Sequence, residues 1–360
     1  MLTSQPRPFR GQMPELSAGK APKYAEISAA IRAMKSRMLG DDGRDALLTS
    51  SSSSECMSIL REQGYFETAT GEAFDQPSLW QTLLDTKMRT IIEKLIRLSP
   101  PECRQLLEAF DSQYRLELLK SGLRVIAARE EDGWELGIEE AGSSTDLLRS
   151  VVESRNVELL IQHAAAKGLE SDLSTALAEK RPLALLEAMV DKYALTRMWK
   201  AADMGDSLDR QAARALIGEL IDLLNLLLVL RSKTLKITEA EVQEALIPVN
   251  YRLGENLSEA ASAGSVVSAL RVLAKTTYAD QVGIFLDSYK EDNTLHPLDV
   301  SLRRRHAASC NSVFSGFPFS AGLPLAFAYL IAYETSDVRS IIAGKHDGVS
   351  KERIQEFLIL

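Results

Sequence analysis

Aromatic residues are scarce in this chain, at 6 % of 360 residues, and cysteine and histidine number only three and four. Aromatic and β-branched side chains are the strand formers, so their scarcity, beside abundant Leu, Ala, Glu and Arg, argues against a sheet protein. Cys56, Cys103 and Cys310 are far apart and odd in number. That excludes a disulfide framework or a cysteine zinc cage and fits a reducing compartment. His163, His296, His306 and His346 are scattered, with no HExxH and no Cys/His cluster, so no metal ligand is assigned. An excess of basic charge is missing too. The net charge of −8 argues against nonspecific nucleic-acid binding. The longest apolar runs, near 226–230 and 323–333, fall short of the about 20 residues that span a bilayer. The chain reads as soluble or peripheral. No signal peptide opens it, and no GxGxxG or GxSxG occurs. Ala343-Gly344-Lys345-His346 lacks the upstream glycine and the following Ser or Thr of a phosphate loop, and Gly344 reads as a helix C-cap. No catalytic residue and no cofactor site is assigned, and the residues do not say which side chains touch a partner.

What is present is helical periodicity. Residues 1–23 are polar, with Pro6, Pro8, Pro14 and Pro22, and read as a disordered leader. Ile27, Ile31, Met34 and Met38 then mark one helical face. In the serine run 50–54, Ser52 and Glu55 form a capping box ahead of Met57, Ile59 and Leu60. Pro77 opens a helix to 98, and a second runs over 102–128. The EEDGWE stretch at 130–135 reads as a solvated loop without the oxygen ligands of a calcium site. Helices are expected at 146–154, 157–166 and 169–178. Pro182 at N1 opens another to 204, and a strongly apolar one spans 207–230. Shorter helices are expected at 238–245, 253–261, 265–274 and 279–289. Pro297 opens one to 314, a corner at 315–324 leads into 325–342, and 350–358 closes the series. The class is all-α. Arg303-Arg304-Arg305-His306 is the densest basic cluster and reads as a solvated helix face, or else as a patch for acidic loops or lipid headgroups. Phe317 and Phe319 either meet a partner or pack beneath their corner.

Residues 215–233, ALIGELIDLLNLLLVLRSK, form the most hydrophobic segment, with Asp222 near its start and Arg231 and Lys233 at its end. The pattern recurs. Set against Asp111, it aligns Leu116, Leu119 and Lys120 with Leu227, Leu230 and Arg231. Set against Glu26, it aligns Ile31, Met34, Lys35 and Arg37 with Leu227, Leu230, Arg231 and Lys233. Set against Glu334, it aligns Val338, Ile341, Ile342 and Lys345 with Leu226, Val229, Leu230 and Lys233. The acids are 85, 111 and 112 residues apart, and Pro77, Pro182 and Pro297 precede their acids by 34, 40 and 37. The spacing places acid and base at opposite ends of a buried helix, where they suit its dipole. It also points to three divergent helical units, bounded at about 24–128, 129–233 and 234–360, with the fourth copy closing the set. Such units stack as a superhelix or close about a pseudo-threefold axis.

Several segments resemble one family. YAEISAAIRAMKSRML, IDLLNLLLVLRSK with EVQEALIPVNYRL and LAKTTYADQV, and the closing LPLAFAYLIAYETSDVRSIIAGKHDGVSKERIQEFL are similar to the C subunit of V-type and archaeal-type (A-type) ATPases, known as the d subunit in eukaryotes. The leader and Gly122, which replaces the second base, depart from that pattern. The resemblance implies an all-helical, pseudo-threefold funnel without an active site or cofactor. It would cap the rotor-ring proteolipid subunits on the cytoplasmic face, receive the central-stalk subunits in its socket and transmit torque for proton or sodium transport. Membrane contact would be indirect, through the ring, with no nucleic acid and no direct nucleotide. The residues alone also fit a helical-repeat scaffold for peptide or protein partners, or an all-α enzyme with a site built from scattered residues.

Overall fold

The computed structural model describes residues 19–66, 80–128, 168–203, 205–290 and 294–360. The leader up to residue 18, the first residues (77–79) of the helix expected from Pro77, the 130–135 loop and the helices expected at 146–154 and 157–166 lie outside them. Among the described residues every regular element is an α-helix. In chain order these are α1 (Lys20–Lys35), α2 (Asp41–Thr49), α3 (Ser53–Glu62), α4 (Trp80–Leu98), α5 (Pro101–Ala128), α6 (Glu170–Ala178), α7 (Leu183–Ala201), α8 (Ser207–Leu235), α9 (Glu239–Ala245), α10 (Asn256–Ser262), α11 (Val266–Leu273), α12 (Ala279–Ser288), α13 (His296–Val313), α14 (Gly322–His346) and α15 (Lys351–Gln355).

Local chemistry sets most boundaries. The Ser52 hydroxyl accepts from Glu55 N and starts α3, while the Glu55 carboxylate turns back to Ser51 N rather than to Ser52. Asp206 caps α8 by accepting from Leu208 N and Asp209 N. Other expectations also need correction, among them that of a helix at 325–342, which spans Gly322–His346. The helix expected from residue 24 begins at Lys20, because Pro22 falls in the first turn, where no N–H is required. Pro182 is the N-cap of α7 rather than its first residue. Gly344 is no cap: α14 runs on to His346, and Gly348 (φ 68°) takes the left-handed turn. A Cβ at Gly344 would come within 2.7 Å of Ile354, so this glycine lets α15 pack against α14.

The long helices explain the core. α5, α8 and α14 contain 28, 29 and 25 residues. Their first halves meet in one shared cluster, with Leu106 and Phe110 from α5, Ile217 and Ile221 from α8, and Phe327 and Leu330 from α14. Their second halves enter three separate clusters. Leu116 and Leu119 pack with α6 and α7, Leu226 to Leu230 with α9 to α13, and Val338 to Ile342 with α2, α3, α4 and α15. A helix that serves two cores must be apolar on nearly every side, which accounts for the hydrophobicity of 215–233.

Candidate functional site

The repeated acids lie where the long helices pass from the shared core to a separate one. Phe110 and Leu116 flank Asp111, Ile221 and Leu223 flank Asp222, and Tyr333 and Val338 flank Glu334. Glu26 is different. It is exposed on α1, and Tyr24, Ile27 and Ile31 all belong to the shared core, so this copy marks no passage. Asp111 pairs with Arg115 on its own helix at 2.7 Å.

Asp222 and Glu334 do the same work at two places. Asp222 Oδ2 accepts the Arg252 N–H at 2.8 Å and the Tyr278 hydroxyl at 3.0 Å. Glu334 Oε2 accepts the Leu39 N–H at 2.8 Å, with Lys87 Nζ 3.6 Å from its other oxygen. Burial, and then the Glu334 charge, pushes the neighbouring Tyr65 phenol up. Leu39 and Tyr65 stand as far apart in sequence as Arg252 and Tyr278. The match continues along both helices. Lys233 Nζ donates to Ala261 O, and Lys345 Nζ to Leu48 O. Lys236 and Gly348 both have positive φ, and Thr238 and Ser350 both cap the next helix. Asn225 exchanges two hydrogen bonds with Ile247, and Asp337 accepts the N–H groups of Ile359 and Leu360. Each of those first bonds spans 22 residues.

Burial pushes the Asp222 and Asp337 carboxyls up to about 6 against the pull of their donors. Burial also raises Glu334, opposed chiefly by Lys87.

Three ion pairs tie each long helix to a later or earlier one. Lys120 of α5 meets Asp191 of α7 at 2.8 Å, Arg231 of α8 meets Asp299 of α13 at 3.5 Å, and Arg339 of α14 meets Asp85 of α4 at 2.9 Å. Burial alone would lower the Lys120 ammonium, but Asp191 and Glu117 hold it above its usual value. Reading the sequence alone misses Asp85, Asp191 and Asp299. Their spacing of 106 and 108 residues is the signal that could have found them.

The basic cluster at 303–306 is a solvated face only in part: Arg304 is exposed, Arg303 and Arg305 are half-buried and His306 is buried, and each has a partner within the chain. Arg303 pairs with Asp299, and Arg304 donates to Leu358 O and Gln355 O. Arg305 ties α13 to Glu219 of α8 and to Thr277 O. His306 is fully buried, donating through Nε2 to Leu216 O and accepting at Nδ1 from the Tyr333 hydroxyl. Burial lowers its pKa, consistent with a neutral ring. Phe317 and Phe319 meet edge to face and are half-buried, and Phe319 packs on the shared core.

Two open recesses flank these joints. One, of about 580 Å³, lies between α6, α7 and α9 and is lined by Lys192, Arg197, Lys200 and Tyr193 among others. The second, about 490 Å³, opens beside Leu39 and Tyr65. Among the described residues, no three His, Cys, Asp or Glu side chains come together as a metal site, and no helix is long and apolar enough to cross a membrane.

The family model described as ATP synthase (C/AC39) subunit matches residues 27–357. Among curated relatives, the C subunit of the A-type ATP synthase of Methanocaldococcus jannaschii is 21 % identical over 345 residues, covering 93 % of this chain and 86 % of that protein. The corresponding C subunit of Pyrococcus abyssi is 20 % identical over 339 residues, covering 93 % and 90 %. That of Methanosphaera stadtmanae is 23 % identical over 344 residues, covering 93 % and 88 %.

Proposed function

Because this chain belongs to the ATP synthase (C/AC39) subunit family, we propose that it is a non-catalytic central-stalk coupling subunit of a rotary V/A-type ATPase. In this reading it is a funnel of three related helical units, near 24–128, 129–233 and 234–360. It sits as a socket between the membrane rotor ring and the central stalk, on the cytoplasmic face, and transmits torque. Its partners are the ring's proteolipid subunits and the stalk subunits, and it meets the membrane only through the ring.

The observation that carries this reading is the direction of the three ion pairs. α5 is tied to α7 and α8 to α13, but α14, near the end of the sequence, is tied back to α4 near its beginning. A stack of repeats has contacts only between neighbours, whereas a ring joins its last unit to its first. The shared core with three separate outer cores supports the same geometry. A body braced in this way suits a part that carries load rather than one that turns over a substrate.

The test is purification of the tagged full chain from membranes of its own cell. Rotor-ring and central-stalk subunits should accompany it in fixed proportion. Their absence, with the chain folded and abundant, would overturn the assignment and favour a scaffold with other partners.

A further inference from the structure

We propose that Trp199, Tyr251 and the arginines around them form a docking surface for an acidic segment of a partner protein. The surface belongs to the coupling role proposed above and rests on that reading for where the partner is sought. Charge and ring alternate along it. The Arg214 guanidinium lies over the Trp199 ring at 4.6 Å, the Trp199 and Tyr251 rings meet edge to face at 6.5 Å, and the Arg252 guanidinium lies over the Tyr251 ring at 4.9 Å. A guanidinium laid on a ring uses its flat face and keeps its N–H edge for a carboxylate. Both rings are half-buried and Arg252 is exposed. Among the described residues Arg252 has no ion pair, while Arg210 and Arg214 share the single carboxylate of Asp203. Glu219, the next acid along α8, is buried against Arg305. Three guanidiniums thus meet one carboxylate, on a chain whose net charge is −8. Trp, Tyr and Arg are the residues that carry most binding energy at the centre of an interface, and the local excess of positive charge selects an acidic partner.

The joint at Asp222 does not require this ladder. Gly218 and Arg214 stand four and eight residues before Asp222, and Tyr251 stands before Arg252. At the matching joint the same places before Glu334 hold Leu330 and Ala326, and Met38 stands before Leu39. That joint closes the same bond from backbone N–H to carboxylate with neither an arginine nor a ring at these three places. On α5 the places before Asp111 hold Leu107 and Cys103, both fully buried. A Cβ at Gly218 would lie 2.5 Å from the Tyr251 ring, so the glycine makes room for a ring that the matching joint does without. Of the three long helices that share the common core, α8 alone carries the ladder among the described residues. A partner held there meets the body in one of three otherwise similar orientations.

Zero-length cross-linking tests this. Arg252→Lys keeps the charge and supplies an amine, and it leaves the joint alone because Asp222 is held by the backbone N–H of residue 252. A water-soluble carbodiimide, added to membranes carrying the tagged full chain, activates a touching carboxylate. The amine then displaces the resulting urea and forms an amide. Mass spectrometry should find residue 252 joined to an Asp/Glu-rich segment of a stalk or ring subunit, whereas Arg97→Lys, exposed on α4, should give no such link. Arg210→Glu with Arg252→Glu should lower recovery of that subunit about tenfold or more, and Arg97→Glu with Arg271→Glu should not. Stalk and ring subunits recovered without coupling at 252 overturn the proposal and leave the coupling role standing. Coupling to an acidic segment of some other protein, with its recovery lowered by the same reversal, keeps the surface and overturns that role. Coupling only to carboxylates of this chain, its own or a second copy's, overturns the proposal, as do recovery unchanged by the reversal and the lack of any coupling. The Arg252→Lys result decides even where a reversed variant fails to fold.

Discussion

The main-chain N–H of Leu39 lies 2.8 Å from the carboxylate of Glu334, across 295 positions of sequence. One buried side chain of α14 thus fixes the entry to α2 and, through Lys87, the face of α4. Glu334→Ala would leave that N–H without its acceptor and remove the charge that faces Lys87. It should lower stability by about 3 kcal/mol in urea unfolding. Glu334→Gln keeps an acceptor for Leu39 and should cost clearly less.

Leu227 and Leu230 are 1 % and 0 % exposed in the outer core of α8. Replacing both with Asp buries two unpaired charges where apolar contacts stood. The chain should fail to accumulate in soluble, helical form. A soluble double variant with a normal circular dichroism spectrum would contradict the placement of this helix.

Asp222 gives a pH dependence of defined sign. Its folded pKa, about 6, is above the ordinary 3.8, so the folded state holds the proton more tightly than the unfolded state. The stability tied to this group is complete below pH 3.8 and is lost as pH rises through 6. Asp222→Asn keeps an oxygen for Arg252 and Tyr278 and removes the buried charge. It should raise stability by about 1–3 kcal/mol at pH 8 and have little effect at pH 4, as read from melting curves at the two values.

The ion pairs should differ in weight. Lys120 is 6 % exposed, and Lys120→Met strands Asp191 in the interior, so a loss of about 3–5 kcal/mol is expected. The Arg231 side chain is 40 % exposed, and Asp299 keeps Arg303 at 2.6 Å. Arg231→Met should cost at most about 1 kcal/mol. Parallel denaturant titrations of the two variants check the ranking.

The helices and the importance of Asp222, Asp111 and Glu334 are legible in the sequence, because apolar spacing and an acid inside an apolar run are side-chain signals. Their work is not legible. The partners of Asp222 and Glu334 include the backbone N–H groups of Arg252 and Leu39, and a backbone donor leaves no trace in residue identity. Spacing alone puts the acids at helix ends, but they lie inside α8 and α14, at the change of core. Glu26 matches by spacing only, since α1 serves a single core. The run 303–306 looks like a patch in one dimension. Four consecutive helical residues point about 100° apart, so their side chains reach four different partners. Those partners are Asp299, Leu358 O, Glu219 and Tyr333.

The division of each long helix between a common and a private core sets how force passes through the body. A push on the packing around Leu227 reaches the packing around Leu119 or Ile341 by way of the common core and the side-chain ties between helices. The body therefore acts as three arms braced at one hub. A side chain removed from an arm softens that arm, whereas one removed from the hub, such as Phe327 or Ile221, slackens all three together.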